Sequence, residues 1–217
     1  MNNKEKNSRY INGFNIDTSF AENLPTEEEQ PKNSGTREFL EWLDVLCVAI
    51  ISVILIFSFV FRVATIEGKS MMNTLHNGDR VIITSFNYEP RQGDIVVVSR
   101  NIQNSAETEE ISDEPIIKRV IAVGGQTVDI DFEQGIVYVD GVALEEDYLG
   151  SPTHNQYDVQ FPIYIPKGHI FIMGDNRGDS LDSRSSRIGD GGIVDNRYVL
   201  GHAVFRFFPF TQIGELK

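Results

Sequence analysis

The sequence predicts a mainly β protein, in which an antiparallel β-sandwich or barrel-like domain follows one N-terminal transmembrane helix. Two observations predict this fold class. Residues 45–61 (VLCVAIISVILIFSFVF) contain no charged side chain, which is typical of a helix that crosses a membrane. After Arg62, short runs rich in Val and Ile alternate with turn signals that contain Gly, Asn and Pro, which is typical of antiparallel β domains.

The N-terminal region divides into a tail and an apolar helix. Residues 1–37 are rich in Asn, Glu and Ser and lack periodicity, so we expect a flexible tail. Residues 38–61 are predicted as one helix. At about 1.5 Å per residue, its apolar run is just long enough for a hydrocarbon core of roughly 30 Å. Trp42 lies where an interfacial tryptophan is expected.

Two alternatives to a membrane anchor are disfavoured. A buried core helix is disfavoured because residues 45–61 are apolar on all faces. A cleaved signal peptide is disfavoured because the segment before the run is long and acidic, and because no small-x-small site follows. We therefore expect an uncleaved anchor over residues 38–61.

Residues 62–217 are predicted as one β-rich domain. The predicted strands are Val63–Glu67, Arg80–Thr84, Asp94–Ser99, Ile116–Val123, Thr127–Ile130, Ile136–Val139, His169–Met173 and Leu200–Phe208. Turn signals such as Asn77-Gly78-Asp79 and Gly124-Gly125 separate them. Residues 101–115 are acidic and interrupt this pattern, so we expect a solvated loop without chemistry there.

Composition excludes several classes of function. The formal net charge of -13 argues against binding of nucleic acid, which requires many Lys and Arg side chains. The single cysteine, Cys47, excludes an intramolecular disulfide. With four scattered histidines, the chain has no ligand set for a zinc cluster, and we predict no metal site.

Ser70 and Lys118 are the first candidates for chemistry. A serine needs a base to act as a nucleophile at neutral pH, and none of the histidines has a recognisable catalytic context. Lys118 lies within an apolar run, IIKRVIAV. Burial lowers the pKa of a lysine, and its neutral amine can then take a proton from a serine hydroxyl. Most strand lysines face water instead, so an isolated strand lysine favours the structural interpretation.

A third segment, the polar residues 174–184 (GDNRGDSLDSR), favours a catalytic role for Lys118 over the structural interpretation. A polar surface loop with internal ion pairs would explain it, and its spacing does not match a calcium loop. The S-x-x-K pattern of β-lactamases is absent, since Asn73 stands where its lysine would be.

Together these segments resemble the bacterial type I signal peptidases (leader peptidases) of the single-anchor kind. The resemblance covers residues 42–210, and its motifs follow the anchor in the family's order. They are Ser70-Met71-Met72-Asn73-Thr74-Leu75 for the family's S-M-x-P-T-L, Gly93-Asp94-Ile95-Val96-Val97 for G-D-I/V-V, Lys118-Arg119-Val120-Ile121 for K-R-V-I, and Gly174-Asp175-Asn176-Arg177 with Ser180, Asp182, Ser183 and Arg184 for G-D-N-R-x-x-S-x-D-S-R. Each motif alone is a weak signal, but four in order are highly specific.

The resemblance implies a Ser-Lys serine endopeptidase that removes signal peptides from exported preproteins after small residues and needs no cofactor. Ser70 is implied as the nucleophile and Lys118 as the general base. The backbone N–H of Ser70 would stabilise the oxyanion. Gly68 stands where some relatives have a second, hydroxyl-bearing donor. Ser180 is implied to hydrogen-bond the amine of Lys118 and to orient it.

Other residues are implied to brace the site or to bind substrate. Two ion pairs are expected in the bracing group, namely Asp182–Arg184 and Asp175–Arg119. The substrate would bind as an added β-strand. The residues implied to contact it are Glu67, Gly68, Met71, Pro115, Ile116 and Ile117; for Met71, ordinary core packing is an equal alternative.

One residue departs from the family pattern. The family usually has Pro where this chain has Asn73. Proline would fix φ and remove a donor, whereas Asn is common in turns. We expect the local geometry to survive with some loss of rigidity.

The resemblance also implies a location and partners. The protein would be a single-pass protein of the cell membrane, with residues 1–41 in the cytoplasm and the catalytic domain outside it. Its partners would be preprotein signal peptides and the lipid bilayer. Alternatives are another Ser-Lys hydrolase such as a self-cleaving repressor, a peptidase dedicated to one surface-protein partner, and an inactive membrane-tethered binding homologue.

Overall fold

The computed structural model describes residues 9–11, 14–16, 34–99 and 114–216. The chain forms two units, residues 1–52 and 53–217. Most of the predicted tail and nearly all of the predicted acidic loop, residues 101–115, lie outside the described residues. Within the tail, two short strands pair antiparallel, from Arg9 to Ile11 and from Phe14 to Ile16, which the composition did not predict.

One α-helix, α1, spans Ser34–Val60. It begins before the predicted start at Glu38, and an exposed Arg37–Glu41 ion pair of 3.2 Å spans one helical turn near its start. Across the described ranges, no helix combines the length and the hydropathy that a membrane crossing requires. The predicted transmembrane span over residues 38–61 is therefore not supported, and polar residues such as Asp44 interrupt the first half of α1.

Fourteen short strands occur among the described residues. They are β1 (Arg9–Ile11), β2 (Phe14–Ile16), β3 (Phe61–Thr65), β4 (Arg80–Thr84), β5 (Ile95–Val98), β6 (Ile116–Val123), β7 (Thr127–Asp131), β8 (Ile136–Val139), β9 (Val142–Ala143), β10 (Ile163–Tyr164), β11 (His169–Met173), β12 (Val194–Asp195), β13 (Val199–Phe208) and β14 (Gly214–Glu215). Single 3₁₀ turns span Asn196–Tyr198 and Phe210–Gln212.

The strands after α1 form two antiparallel sheets. The larger has the order β12-β11-β6-β5-β13-β4-β3, with β14 added to β13, and the smaller has the order β10-β7-β8-β9. Ile121 and Phe171 of the larger sheet share a buried cluster with Val128 and Val137 of the smaller one. This face-to-face packing confirms a mainly antiparallel β fold.

The centre of the larger sheet is buried on both faces. Side chains of β5 alternate, because Ile95 and Val97 join one apolar cluster while Val96 and Val98 join another. Met71 and Leu75, from the segment between β3 and β4, belong to the first cluster. The core thus holds the segment that carries Ser70 against the sheet that carries Lys118.

Candidate active site

Ser70 lies at the start of a tight turn that the core fixes from beneath. Met71 and Leu75 are 1% and 0% exposed. The carbonyl of Met71 accepts hydrogen bonds from the N–H groups of Thr74 (3.1 Å) and Leu75 (2.8 Å). The turn therefore has apolar residues inside and presents the Ser70 hydroxyl on its partly exposed side.

Lys118 lies in β6, and its side chain contacts Ser70. Its Nζ lies 2.7 Å from Ser70 Oγ, although the two residues are 48 positions apart in the chain. Only 4% of Lys118 is exposed, and its Nζ also donates to the carbonyl of Ile117 at 3.0 Å. The predicted pair is thus in hydrogen-bond contact, in a place where burial disfavours the charged amine.

The 174–184 segment holds the turn that carries Ser70. The Asn176 N–H donates to the carbonyl of Ser70 at 2.9 Å, and the Asn176 side chain donates to the carbonyl of Lys69 at 3.1 Å. A Cβ at Gly174 would collide with Ser180 Oγ and with the carbonyl oxygen of Ser70. Glycine is therefore required at this point of close approach.

Ser180 does not make its predicted hydrogen bond. Its side chain is buried, and its Oγ has no hydrogen-bond partner within the described part of the chain. Because this oxygen packs against Gly174, the expected contact with the Lys118 amine is absent. Ser180 lies close to the pair without bonding to it.

Both predicted ion pairs form, and both are buried. Arg119 Nε and Nη2 bind the two oxygens of Asp175 at 2.8 and 2.7 Å. Arg184 binds Asp182 in the same bidentate manner, with both distances 2.9 Å. Fork-shaped pairs of this kind fix orientation as well as charge. Asp182 also accepts from the N–H of Gly174 at 3.0 Å.

The residues expected to bind substrate divide into two groups. Glu67, Gly68 and Pro115 form the first group and are exposed. Ile116 and Ile117 form the second group and lie in β6, which pairs with β11 only from Arg119 onward. Within the described residues, the β11 side of Ile116–Ile117 therefore has no strand partner and is open to an added strand.

Met71 belongs to the core. Its side chain packs with Ile66 and Leu75, as in the core-packing alternative, and a contact with substrate stays a prediction.

Asn73 adopts a left-handed conformation, with φ of 86°. Proline is restricted to φ near -65°, so this turn cannot be the one that a proline would make. The expectation that the same geometry survives is therefore wrong at this residue, and the expected loss of rigidity stays a prediction. Asn is one of the few residues that tolerate this region.

Residues 144–153 were missed by the sequence analysis, although they surround the site. Glu146 forms an ion pair with Arg177, and the Tyr148 ring lies 3.9 Å from the Arg119 guanidinium carbon. Burial and the adjacent Glu146 carboxylate raise the pKa of Tyr148 well above its usual range. The sequence analysis assigned no partner to Arg177. The acidic run Glu145–Asp147 was the signal from which an ion pair could have been predicted.

Comparisons with known proteins identify the family of this chain. Residues 39–208 match the family described as signal peptidase, peptidase S26. The chain is 36% identical over 192 residues to a probable signal peptidase I-1 of Synechocystis sp., which covers 87% of this chain and 92% of the relative. It is 32% identical over 207 residues to signal peptidase I T of Bacillus subtilis, covering 91% and 100%. The chain therefore belongs to the signal peptidase family, peptidase S26.

Proposed function

We propose that this protein is a membrane-attached serine endopeptidase that removes signal peptides from exported preproteins after small residues, using a Ser70–Lys118 dyad. The observation that carries the proposal is the 2.7 Å contact between Lys118 Nζ and Ser70 Oγ at a lysine that is almost completely buried. An isolated strand lysine would face water. Here its amine is directed at a hydroxyl in a turn.

The reaction needs four proton transfers by the same amine, two in acylation and two in deacylation. Neutral Lys118 takes the hydroxyl proton as Ser70 Oγ attacks the scissile carbonyl, and it returns the proton to the leaving amine as the peptide bond breaks. A water molecule then attacks the acyl-enzyme. Lys118 takes a proton from this water and returns one to Ser70 Oγ when the ester breaks. The Ser70 backbone N–H is the proposed oxyanion donor.

The substrate would enter as an extended strand. The open edge at Ile116–Ile117 supports this proposal, and so does the exposure of Glu67 and Gly68 on the segment before Ser70. Main-chain pairing at such an edge binds extended peptides with little dependence on their side chains. Preference for small residues would then come from the limited space beside Ser70.

Membrane attachment through α1 is part of the same proposal, with the catalytic domain outside the cytoplasm. Its support is the apolar surface of α1, on which Trp42, Val45 and Val48 are 76%, 70% and 64% exposed. Contiguous exposed apolar surface on this scale marks a membrane or protein contact. The residues that share this exposure are Phe39, Leu40, Trp42, Leu43, Val45, Leu46, Val48, Ile50, Ile51, Val53, Ile54, Leu55 and Phe57.

Cleavage of a preprotein in detergent tests the dyad. Wild type should release a product cut after a small residue, whereas Ser70→Ala and Lys118→Ala should each lose at least about 10³-fold in kcat. Lys167→Ala, at an exposed lysine in a turn, is the matched control and should keep full activity.

Three results would contradict parts of the proposal. Full activity in Lys118→Ala would exclude a Ser-Lys mechanism. Failure of wild type on every preprotein tested would favour a binding homologue. Cleavage of a single surface protein alone would favour a dedicated processing peptidase.

A further inference from the structure

The hydroxyl of Thr74 links the turn that carries Ser70 to the ion pair beside Lys118. Its Oγ1 donates to Asp175 Oδ2 and lies 3.5 Å from Arg119 Nη2. Asp175 and Arg119 are 1% and 2% exposed, so the hydroxyl is bonded to a buried carboxylate that Arg119 already holds in place. Hydrogen bonds to a charged acceptor are stronger than those between neutral groups.

This contact closes a ring of bonds that includes Ser70. The Thr74 N–H donates to the carbonyl of Met71 at 3.1 Å, and Met71 follows Ser70 directly. Asp175 is followed by Asn176, whose N–H donates to the Ser70 carbonyl at 2.9 Å. Each link of the ring is either part of the covalent chain or one of these hydrogen bonds. A displacement of Ser70 relative to Asp175 would therefore strain at least one of them.

The same ring is fixed to the strand that carries Lys118. Asp175 binds Arg119 through both of its carboxylate oxygens, and Arg119 follows Lys118 in β6. The Arg119 side chain also donates to the carbonyl of Gly93 at 2.8 Å, which holds the guanidinium from a second direction. The ring therefore places Ser70 against a group whose position relative to Lys118 is set by β6.

The backbone of Thr74 has its own contacts, which do not involve the hydroxyl. Arg206 Nη1 donates to the Thr74 carbonyl at 2.9 Å and to Asp79 at 3.0 Å. The next residue, Leu75, is completely buried. Loss of the hydroxyl alone is therefore expected to release the connection to Asp175 and to leave the turn folded.

We infer that Thr74 is a positioning residue for the proposed reaction. Its hydroxyl ties the turn to Asp175 and so keeps Ser70 Oγ within hydrogen-bond reach of Lys118 Nζ. The inference rests on the proposed function of Ser70 and Lys118. The Thr74 hydroxyl acts through Asp175 and Asn176 rather than on the reacting atoms, and a methyl group in its place leaves Ser70 held at fewer points.

The experiment compares Thr74→Val, Thr74→Ser and wild type, as full-length proteins in detergent, on the same preprotein. Thr74→Val has nearly the same shape and no hydroxyl, so kcat should fall about tenfold, because small misplacements of reacting atoms are costly in rate. KM should change little, since the substrate-binding edge is proposed at Ile116–Ile117. Thr74→Ser keeps the hydroxyl and should retain kcat within about twofold of wild type.

Thr84→Val is the matched control, because Thr84 is a half-buried threonine of β4 outside the proposed site. It should keep the kcat of wild type. Urea unfolding gives the folded fraction of each variant, so that kcat is expressed per folded molecule and a loss of stability is not counted as a loss of rate.

Two results would overturn the inference directly. One is wild-type kcat in Thr74→Val, and the other is a loss of kcat that Thr74→Ser shares, because the hydroxyl would then not be the cause. If Thr74→Val does not fold, Thr74→Ala removes the same hydroxyl with a smaller side chain and must show the expected loss of kcat. Failure of both variants to fold would assign Thr74 a structural role and overturn the inference.

Ser70→Ala, measured in parallel, distinguishes failure of the inference from failure of the proposed function. It should be inactive. If Ser70→Ala cleaves normally, the proposed dyad is wrong. If Ser70→Ala is inactive while Thr74→Val cleaves at the wild-type rate, only the inference about Thr74 fails.

Discussion

The contacts of individual residues could be predicted from sequence where a family motif assigns them. They were much harder to predict where they depend on how neighbouring segments pack. Ser70 and Lys118 were proposed from a resemblance and a buried-strand argument, and they meet at 2.7 Å. Ser180 belongs to another of the family's motifs, yet its Oγ makes no hydrogen bond within the described residues, and the motif does not encode how closely this oxygen approaches Gly174. Asn73 was recognised as unusual, but its backbone conformation could not be read from its identity.

The left-handed turn makes a prediction about Asn73→Pro, which would introduce the residue that the family usually has. Proline cannot adopt φ of 86°, so the variant should lose more than about 1 kcal/mol of unfolding free energy. We also expect at least a tenfold loss of kcat. Urea unfolding and peptide cleavage are the measurements.

Asn87→Pro is the control for this change, because Asn87 also has positive φ, 48°, and lies outside the proposed site. It should lose stability without a comparable loss of kcat. Wild-type stability and rate in Asn73→Pro would show that the left-handed turn is not the working conformation.

Four short apolar runs bounded by turn signals were predicted with their true bounds, since β4, β6, β8 and β11 begin and end as the sequence indicated. The two-residue strands were missed, because so few residues show no periodicity. The segment 144–153 was missed for a different reason. It has little regular structure, and its role depends on side chains that contact β6 and the 174–184 segment.

The contact of this segment with β6 predicts an alkaline stability change that depends on Tyr148. The folded pKa of Tyr148 is raised above its ordinary value of 10.0, so its contribution is fully present below pH 10. As the pH rises further, ionisation favours the unfolded chain. Between about pH 10 and pH 11.5, the unfolding free energy should therefore fall less steeply in a protein that carries Tyr148→Phe than in a parent protein that keeps Tyr148.

Tyr88 must be removed from this comparison, because burial and Asp94 raise its pKa in the same direction. The parent protein is therefore the Tyr88→Phe variant. It is compared with the double variant Tyr88→Phe/Tyr148→Phe. Denaturant unfolding at each pH is the measurement. Parallel curves for the two proteins would show that Tyr148 is not protonated preferentially in the folded state.

At the scale of the whole molecule, composition and strand spacing were enough to predict a mainly antiparallel β fold. They could not predict which strands would be neighbours: β13 pairs with both β4 and β5, far earlier in the chain. The membrane assignment of α1 also exceeds what the described structure supports. The exposed apolar residues of α1 nevertheless need a partner, and the bilayer is the one proposed.

This proposal predicts that charges on α1 release the protein from membranes. Ile50→Lys/Ile54→Lys, at two exposed apolar positions, should move the protein from the pellet to the supernatant after alkaline carbonate washing. Charged side chains are costly within a bilayer. Cleavage of a short peptide in detergent should be unchanged. Glu38→Lys, at a position that is already polar, should stay in the pellet, and equal pelleting of all proteins would contradict the proposal.

The open edge at Ile116–Ile117 has a further consequence, for the behaviour of the purified protein. Unpaired strand edges accept any extended chain, and natural proteins limit this hazard with charges, prolines or bulges. Pro115, just before this edge, lacks an N–H and shortens the stretch that can pair. If the proposed substrate strand binds here, the same edge carries a tendency toward self-association, which Pro115 limits within the described residues.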